Sequence, residues 1–293
     1  DTKVRTRKEL DGVLTIPFLG NIPRHGNKKG GDSDGIVVRE NSRDSVSEAF
    51  RIIRTNMDFM RVKSDKLQVV MFTSANPGAG KTFVSSNLAM SIAQTNKRVV
   101  LIDVDIRKGT LSGIFSNSSN RMGLTHYLSG STDKVDDIVG TSEEYEKLDV
   151  IFSGPVPPNP AELLLSERFD RLITELRKRY DYIIVDNVPA GMVADASIVN
   201  RVADLTIFVV RSGVMDRRQL PELENMYRQE QLRNMSVILN GVPSDHKGYG
   251  YGYGYGYGYG YGYGYGYGDE NHDHKHGKCK SLKNLFSCFL KRS

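Results

Sequence analysis

The 293-residue chain has no run of about 18 apolar residues, so nothing in it reads as a bilayer-spanning helix. No signal peptide is visible either: the first residue is Asp1, not Met, and the opening DTKVRTRKEL is charged. A chain that starts this way is expected to be a fragment or a processed product. Cysteine is nearly absent. Cys279 and Cys288 lie near the end and the body has none, so the body needs no disulfide, which fits a reducing cytoplasm. The net charge of +5 is absent from the middle. Residues 1–47 carry nine basic and seven acidic side chains, residues 269–293 six and three, and the stretch between them balances. That argues against a nucleic-acid-binding core and for an anionic partner near the C-terminus.

What is there divides into four parts. Residues 1–44 read as a linker in which GVLTIPFLGNIP precedes RHGNKKGGDSDG. Residues 45–247 read as one α/β domain. SVSEAFRIIRTNMDFM places Val46, Phe50, Ile53 and Met57 at helical spacing, with Ser45 and Ser47 as candidate caps. Apolar runs follow at LQVVMFTS, RVVLIDVD, LDVIFSG, DYIIVDNV, LTIFVVR and MSVILNG. They are short and rich in Val and Ile, as strands buried on both faces are. Helical stretches separate most of them: TFVSSNLAMSIAQTN, AELLLSERFDRLITELRKRY, DASIVNRVAD and RQLPELENMYRQEQ. The alternation predicts a doubly wound, mostly parallel sheet whose chemistry sits just beyond the strands' carboxyl ends.

Residues 248–268 are a Gly-Tyr string: Tyr249, Tyr251, Tyr253, Tyr255, Tyr257, Tyr259, Tyr261, Tyr263, Tyr265 and Tyr267 occupy every second position. Its composition reads as a flexible linker, because glycine costs the most backbone entropy to order and a strand of this pattern has one bare face. The sharper reading is a row of ten phosphate acceptors. In the 269–293 extension, His272, His274 and His276 read as a solvated spacer rather than a metal site. Leu282, Leu285, Phe286, Phe289 and Leu290 share one helical face beside Lys283, Lys291 and Arg292, which suits anionic lipid, a partner or the domain itself.

Phosphate chemistry is written into the body. QVVMFT runs into Ala75, Asn76, Pro77, Gly78, Ala79, Gly80, Lys81 and Thr82, the end of a P-loop whose usual first glycine is Ala75. Glycines let the backbone curl its N–H groups toward phosphate oxygens, and the next helix presents its N-terminus to the same anion. Lys81 is expected on the β and γ phosphates and Thr82 on Mg²⁺. The second run ends in Asp103 and Asp105, two apart and so expected on one face of a strand, followed by Arg107 as a candidate support for the carboxylates or the phosphate. These two acids are expected to include a metal ligand and a base. Asp186 closes the fourth run as a Walker-B-like aspartate for Mg²⁺. Asn240, at the end of the last strand, is the candidate nucleobase contact.

SANPGAGKT, VLIDVDIRKG and YIIVDNVP, in this order, resemble the Walker A, A′ and B motifs of the bacterial tyrosine kinases. EAFRIIR resembles that family's E-x-x-R-x-x-R helix through Glu48, Arg51 and Arg54, and GLTHYLSG and GPVPPNPAELL resemble its connecting segments. VLTIPFLGNIP resembles the segment after the second transmembrane helix of membrane-anchored members. Residues 9–243 fit the pattern. Asn187-Val188 departs from the small residue and proline usual after the Walker B aspartate, and the strict Tyr-Gly alternation is more regular than the usual tyrosine cluster.

The resemblance implies an ATP- and Mg²⁺-dependent tyrosine autokinase. Thr82, Asp105 and Asp186 would organise Mg²⁺, Asp103 would accept the tyrosine proton, and the tail tyrosines would be substrates. It also implies a homo-oligomeric ring, an octamer by analogy, with Glu48, Arg51 and Arg54 at the interface and each tail entering a neighbour's site. The implied setting is the cytoplasmic face of the bacterial inner membrane, in capsular or extracellular polysaccharide synthesis and export. The implied partners are a membrane chain-length regulator, expected as the missing N-terminal part of the same chain, and a cognate tyrosine phosphatase, with no nucleic acid. The main rival is a ParA/MinD-type positioning ATPase with a membrane-binding C-terminal helix. Such proteins use an extra lysine early in the loop, where this chain has Ala75 and Asn76. A third reading, a non-enzymatic scaffold, leaves the loop and its three acids without a task.

Overall fold

The computed structural model describes residues 2–25, 35–60, 67–115, 122–141, 146–190 and 195–243. The tyrosine string and the 269–293 extension therefore lie outside the described residues.

The six apolar runs are strands, and they are buried because both of their faces are covered. β2 (Val69–Thr73), β3 (Val99–Asp103), β5 (Leu148–Ile151), β6 (Tyr182–Asp186), β7 (Leu205–Arg211) and β8 (Met235–Val242) belong to one sheet. With β1 (Phe18–Pro23) and β4 (Gly140–Thr141) its order is β1-β8-β7-β2-β6-β3-β5-β4. Every pairing is parallel except β4 with β5. Period two divides the core. Val70, Phe72, Leu101, Ile184 and Ile207 face a layer holding α2 (Ser45–Met60) and α3 (Lys81–Ala93). Met71, Val100, Ile102, Val185 and Phe208 face the layer of α4 (Leu124–Leu128), α6 (Glu167–Arg179), α7 (Asp195–Asn200) and α8 (Leu220–Arg228).

Two local expectations are corrected. The cap of α2 is Asp44 rather than Ser45 or Ser47: its Oδ1 accepts from the amides of Val46 at 3.0 Å and Ser47 at 2.9 Å. The stretch 161–180 is two helices, α5 (Pro160–Leu165) and α6, because Ser166 takes an extended ψ of 151° and starts the second helix.

The linker reading of residues 1–44 is corrected over its first half. Val4, Leu10, Ile16, Leu19 and Ile22 are buried, and β1 pairs in parallel with β8 at the edge of the sheet. Prolines are tolerated there because an edge strand leaves one row of N–H positions without a ladder partner. Gly20 is needed for packing: a Cβ on it would meet Ile53 Cγ1 of α2 at 2.8 Å. Before β1, the short α1 (Arg7–Asp11) and the preceding residues lie along the β7–α8 loop, with Val4 N on Met215 O at 2.9 Å and Gly213 N on Val4 O at 2.7 Å.

Candidate active site

Three neighbouring strands, β2, β6 and β3, deliver the site at their carboxyl ends. The loop after β2 turns at Gly78 (φ 76°) and Gly80 (φ 84°), left-handed positions that a side chain rarely tolerates. Gly80 is also crowded, since a Cβ there would fall 2.3 Å from Asn240 Nδ2. The loop is tied from below and from the side. Asn240 Nδ2 donates to Ala79 O at 3.0 Å, Ser74 Oγ donates to Asn76 O at 2.8 Å, and Asn76 Nδ2 reaches Gln219 Oε1 at 3.3 Å. Asn240 is thus a brace for the phosphate loop; it is buried and is not among the residues that line the cavity beside that loop.

That cavity, about 490 Å³, is lined by Pro77, Gly78, Gly80, Lys81, Thr82, Asp105, Arg107 and Asp186 of the expected residues. Ala75, Asn76, Ala79 and Asp103 do not line it. Phe83, Ile114, Val188 and Pro189 supply apolar wall, and Lys108, Thr110 and Asn187 join the lining. Motif reading gave none of these a site role, although Lys108 lies within VLIDVDIRKG and Asn187, Val188 and Pro189 within YIIVDNVP. Lys108 alone carried a signal, as a second cation directly after Arg107.

Asp103 and Asp105 do not share a strand face, because β3 ends at Asp103. Asp103 stays under the turn that follows, 1 % exposed. Its Oδ1 accepts from Asp105 N and its Oδ2 from Leu111 N, each at 3.1 Å. Asp105, on the turn, faces the cavity. Across the sheet Asp103 is in register with Asp186, which is also 1 % exposed. Thr82 Oγ1 donates to Asp186 Oδ2 at 2.6 Å, and Thr110 Oγ1 lies 3.1 Å from the Thr82 hydroxyl. Asp186 Oδ1 is buried with no hydrogen-bond partner.

The charges are strained against one another. Burial pushes Asp186 up to about 6, opposed by the Thr82 hydroxyl and the Lys81 ammonium. Burial, then the charge of Asp186, pushes Asp103 up to about 7. Of this pair Asp103 takes the first proton, because Thr82 and Lys81 hold Asp186 ionised. Burial lowers Lys81, against the pull of Asp186 and Asp105. An orphaned carboxylate oxygen beside a serviceable hydroxyl is a fit for a hard cation with oxygen ligands. Among the described residues no three His, Cys, Asp or Glu converge to form a metal cage. The Thr82 hydroxyl beside the Asp186 carboxylate suits Mg²⁺, which keeps waters and takes one or two carboxylates plus substrate phosphates.

Glu48, Arg51 and Arg54 lie on α2, away from the cavity lining. Within one chain Arg51 Nη1 pairs with Glu48 Oε2 at 2.8 Å and its Nη2 donates to the Ser42 carbonyl. Arg54 Nη1 donates to the Ser91 carbonyl at the end of α3, and to Ser91 Oγ at 3.2 Å.

Comparison with known proteins agrees with this geometry. The AAA domain family model matches residues 67–231. The tyrosine-protein kinase CpsD of Streptococcus pneumoniae is 37 % identical over 195 residues, which is 67 % of this chain and 84 % of that protein. The tyrosine-protein kinase etk of Escherichia coli (strain K12) is 36 % identical over 244 residues, 83 % of this chain but 31 % of that longer protein. The solved kinase domain of the E. coli tyrosine kinase ETK superposes with a TM-score of 0.72 at 32 % identity, covering 85 % of this chain and all (100 %) of that one.

Proposed function

The chain belongs to the bacterial tyrosine-protein kinases built on an AAA domain, and from that premise we propose that it transfers the γ-phosphoryl group of MgATP to tyrosines of its own 248–268 tail. The observation that carries this reading is Asp186, buried at the cavity floor with one oxygen on Thr82 and the other without a partner.

In this reading the loop from Ala75 to Thr82 holds the triphosphate through its backbone amides, with Lys81 on the β and γ groups. Thr82, Asp105 and Asp186 would hold Mg²⁺, which would supply charge neutralisation to the triphosphate. Arg107, at the cavity's mouth, meets the phosphate or the acceptor. The phenol oxygen bonds to the γ-phosphorus, and the bond to the bridging oxygen breaks with its electron pair going to ADP. The phenol proton passes to Asp103. A carboxyl poised near neutral pH suits that task.

The tail is expected to act in trans. A Gly-rich segment of 21 residues spans roughly 25 Å on average, comparable to a domain's width, so length alone favours neither its own site nor a neighbour's. The ring reading places Glu48, Arg51 and Arg54 at the contact, where bidentate arginine–carboxylate pairing gives a defined geometry. Phosphates of roughly −1.5 to −2 charge on each tyrosine would then repel tail and site alike and loosen the ring. The proposed setting is polysaccharide export at the cytoplasmic face of the bacterial inner membrane, with a membrane chain-length regulator and a tyrosine phosphatase as partners. The name of a Klebsiella pneumoniae relative, a putative tyrosine-protein kinase in the cps region, supports that setting.

The test is to incubate the chain with MgATP and map phosphate by intact mass and peptide sequencing, beside Lys81→Met. Multiple phosphates on Tyr249–Tyr267, absent in the variant, are expected. ATP hydrolysis without phosphotyrosine returns the chain to the positioning-ATPase reading. Mixing Lys81→Met with a chain cut after residue 247 separates the routes, since only transfer in trans labels the variant's tail.

A further inference from the structure

The turn between Asp105 and Leu111 is fixed at both ends. Asp103 holds its first and last amides, at Asp105 and Leu111. The amides of Lys108 and Gly109 both donate to Asp105 O, at 3.1 and 3.0 Å. Gly109 sits at φ 64°, and a Cβ on it would fall 2.8 Å from Ser153 Oγ, so a side chain there would be both strained and crowded. Thr110 then places its hydroxyl 3.1 Å from that of Thr82, which joins the turn to the phosphate loop.

Lys108 rides on this braced turn. It lines the same cavity as Lys81, Asp105 and Asp186, yet its own body is exposed. Among the described residues no carboxylate forms an ion pair with its ammonium. It shares that cavity with the Lys81 ammonium. Two ammonium groups that repel across a cavity are unfavourable when nothing lies between them, and favourable when a polyphosphate does. The early loop positions, Ala75 and Asn76, offer no cation of their own. The turn supplies one to the same cavity.

We propose that Lys108 is a second phosphate-contacting catalytic residue, whose ammonium binds the γ-phosphoryl group during transfer while Lys81 stays with the bound triphosphate. The proposal rests on the ATP-dependent kinase reading above. In the transfer the γ-phosphorus gains the phenol oxygen and loses the bridging oxygen, whose electron pair leaves with ADP. Negative charge on the three γ oxygens is what Lys108 meets, a task that removes two to three orders of magnitude in rate when such a donor is deleted. ADP lacks that group, so Lys108 should be indifferent to ADP.

The experiment uses the full chain with Mg²⁺ and two fluorescent probes, N-methylanthraniloyl-ADP and N-methylanthraniloyl-ATPγS. Phosphotyrosine formation at saturating ATP is followed by intact mass. For Lys108→Met the expected results are an ADP affinity within about twofold of the parent, an ATPγS affinity about tenfold weaker, and transfer about 100-fold slower or worse. Lys108→Arg should recover transfer to within about tenfold. Unimpaired ADP binding shows that the variant is folded. Transfer at the parent rate by Lys108→Met overturns the proposal, and so does an equal loss of affinity for both probes. A parent chain that binds neither probe overturns this proposal and the ATP reading together. If the parent hydrolyses ATP without forming phosphotyrosine, the kinase reading falls alone; phosphate release then replaces transfer as the readout, and Lys108→Met must slow it equally.

Discussion

Asp186→Asn tests the site without any assay of catalysis. Burial carries the Asp186 carboxyl from its ordinary 3.8 to about 6. At about 1.36 kcal/mol per pH unit, that difference is worth about 3 kcal/mol. The folded pKa is raised, so the folded chain binds the proton more tightly than the unfolded chain does. The stabilising contribution is fully present below the unfolded value and is lost as pH rises through about 6. About 2 kcal/mol of it should disappear between pH 4.5 and 8 in the metal-free parent. The carboxamide in the Asp186→Asn variant cannot titrate, so that variant should lack this slope. The difference is enlarged by Asp103, whose own raised pKa depends in part on the charge of Asp186. Urea unfolding followed by far-ultraviolet circular dichroism, at several pH values in chelator, measures both chains. Adding Mg²⁺ with ADP at pH 8 should restore the parent, because the cation meets the unpartnered Oδ1, and should stabilise the variant less, since only the loop amides and Lys81 still meet the phosphates there. Parallel stability curves from pH 4.5 to 8, within about 0.5 kcal/mol, would refute the claim that a strained carboxylate waits there for a cation.

Other expectations bear on separate parts of the molecule. Gly80→Ala places a Cβ 2.3 Å from Asn240 Nδ2 at a left-handed φ of 84°; calorimetry should find ADP affinity at least about tenfold weaker and unfolding easier by about 1–2 kcal/mol. Asp44→Ala removes the acceptor of two amides at the start of α2 and should cost about 1 kcal/mol in urea unfolding. Asp204 accepts from the amides of Gln68 and Val69 and from both Arg177 nitrogens. These partners hold its pKa below the ordinary value against the burial that raises it. Asp204→Ala should therefore cost about 3 kcal/mol near neutral pH, and less as acid removes the same contribution from the parent.

Residues whose partners are close in the chain, or whose pattern is imposed by burial on both faces, were legible. The runs ending at Thr73, Asp103 and Asp186 announced strands because a strand covered on both sides must be apolar throughout. Their acids and the glycines of the loop announced phosphate chemistry because few other uses join those types in that order. β1 was not legible. Its six residues include a glycine and a proline, and the β8 residues it pairs with lie more than 200 positions away. Asn240 was assigned to a ligand because its place at a strand end is visible in the sequence. That the amide reaches the Ala79 carbonyl depends on how β8 approaches the loop.

The two aspartates after β3 show where such reading stops. Spacing of two puts side chains on one face only while the strand continues, and here it ends at the first of them. The division of labour follows from that single residue's difference. Asp103 is buried, where it holds the turn and its carboxyl is pushed up to about 7. Asp105 emerges on the turn, in the cavity with Lys81 and Lys108. Two adjacent acids with unlike environments can serve unlike roles, and the turn that separates them also carries the added cation to the phosphate.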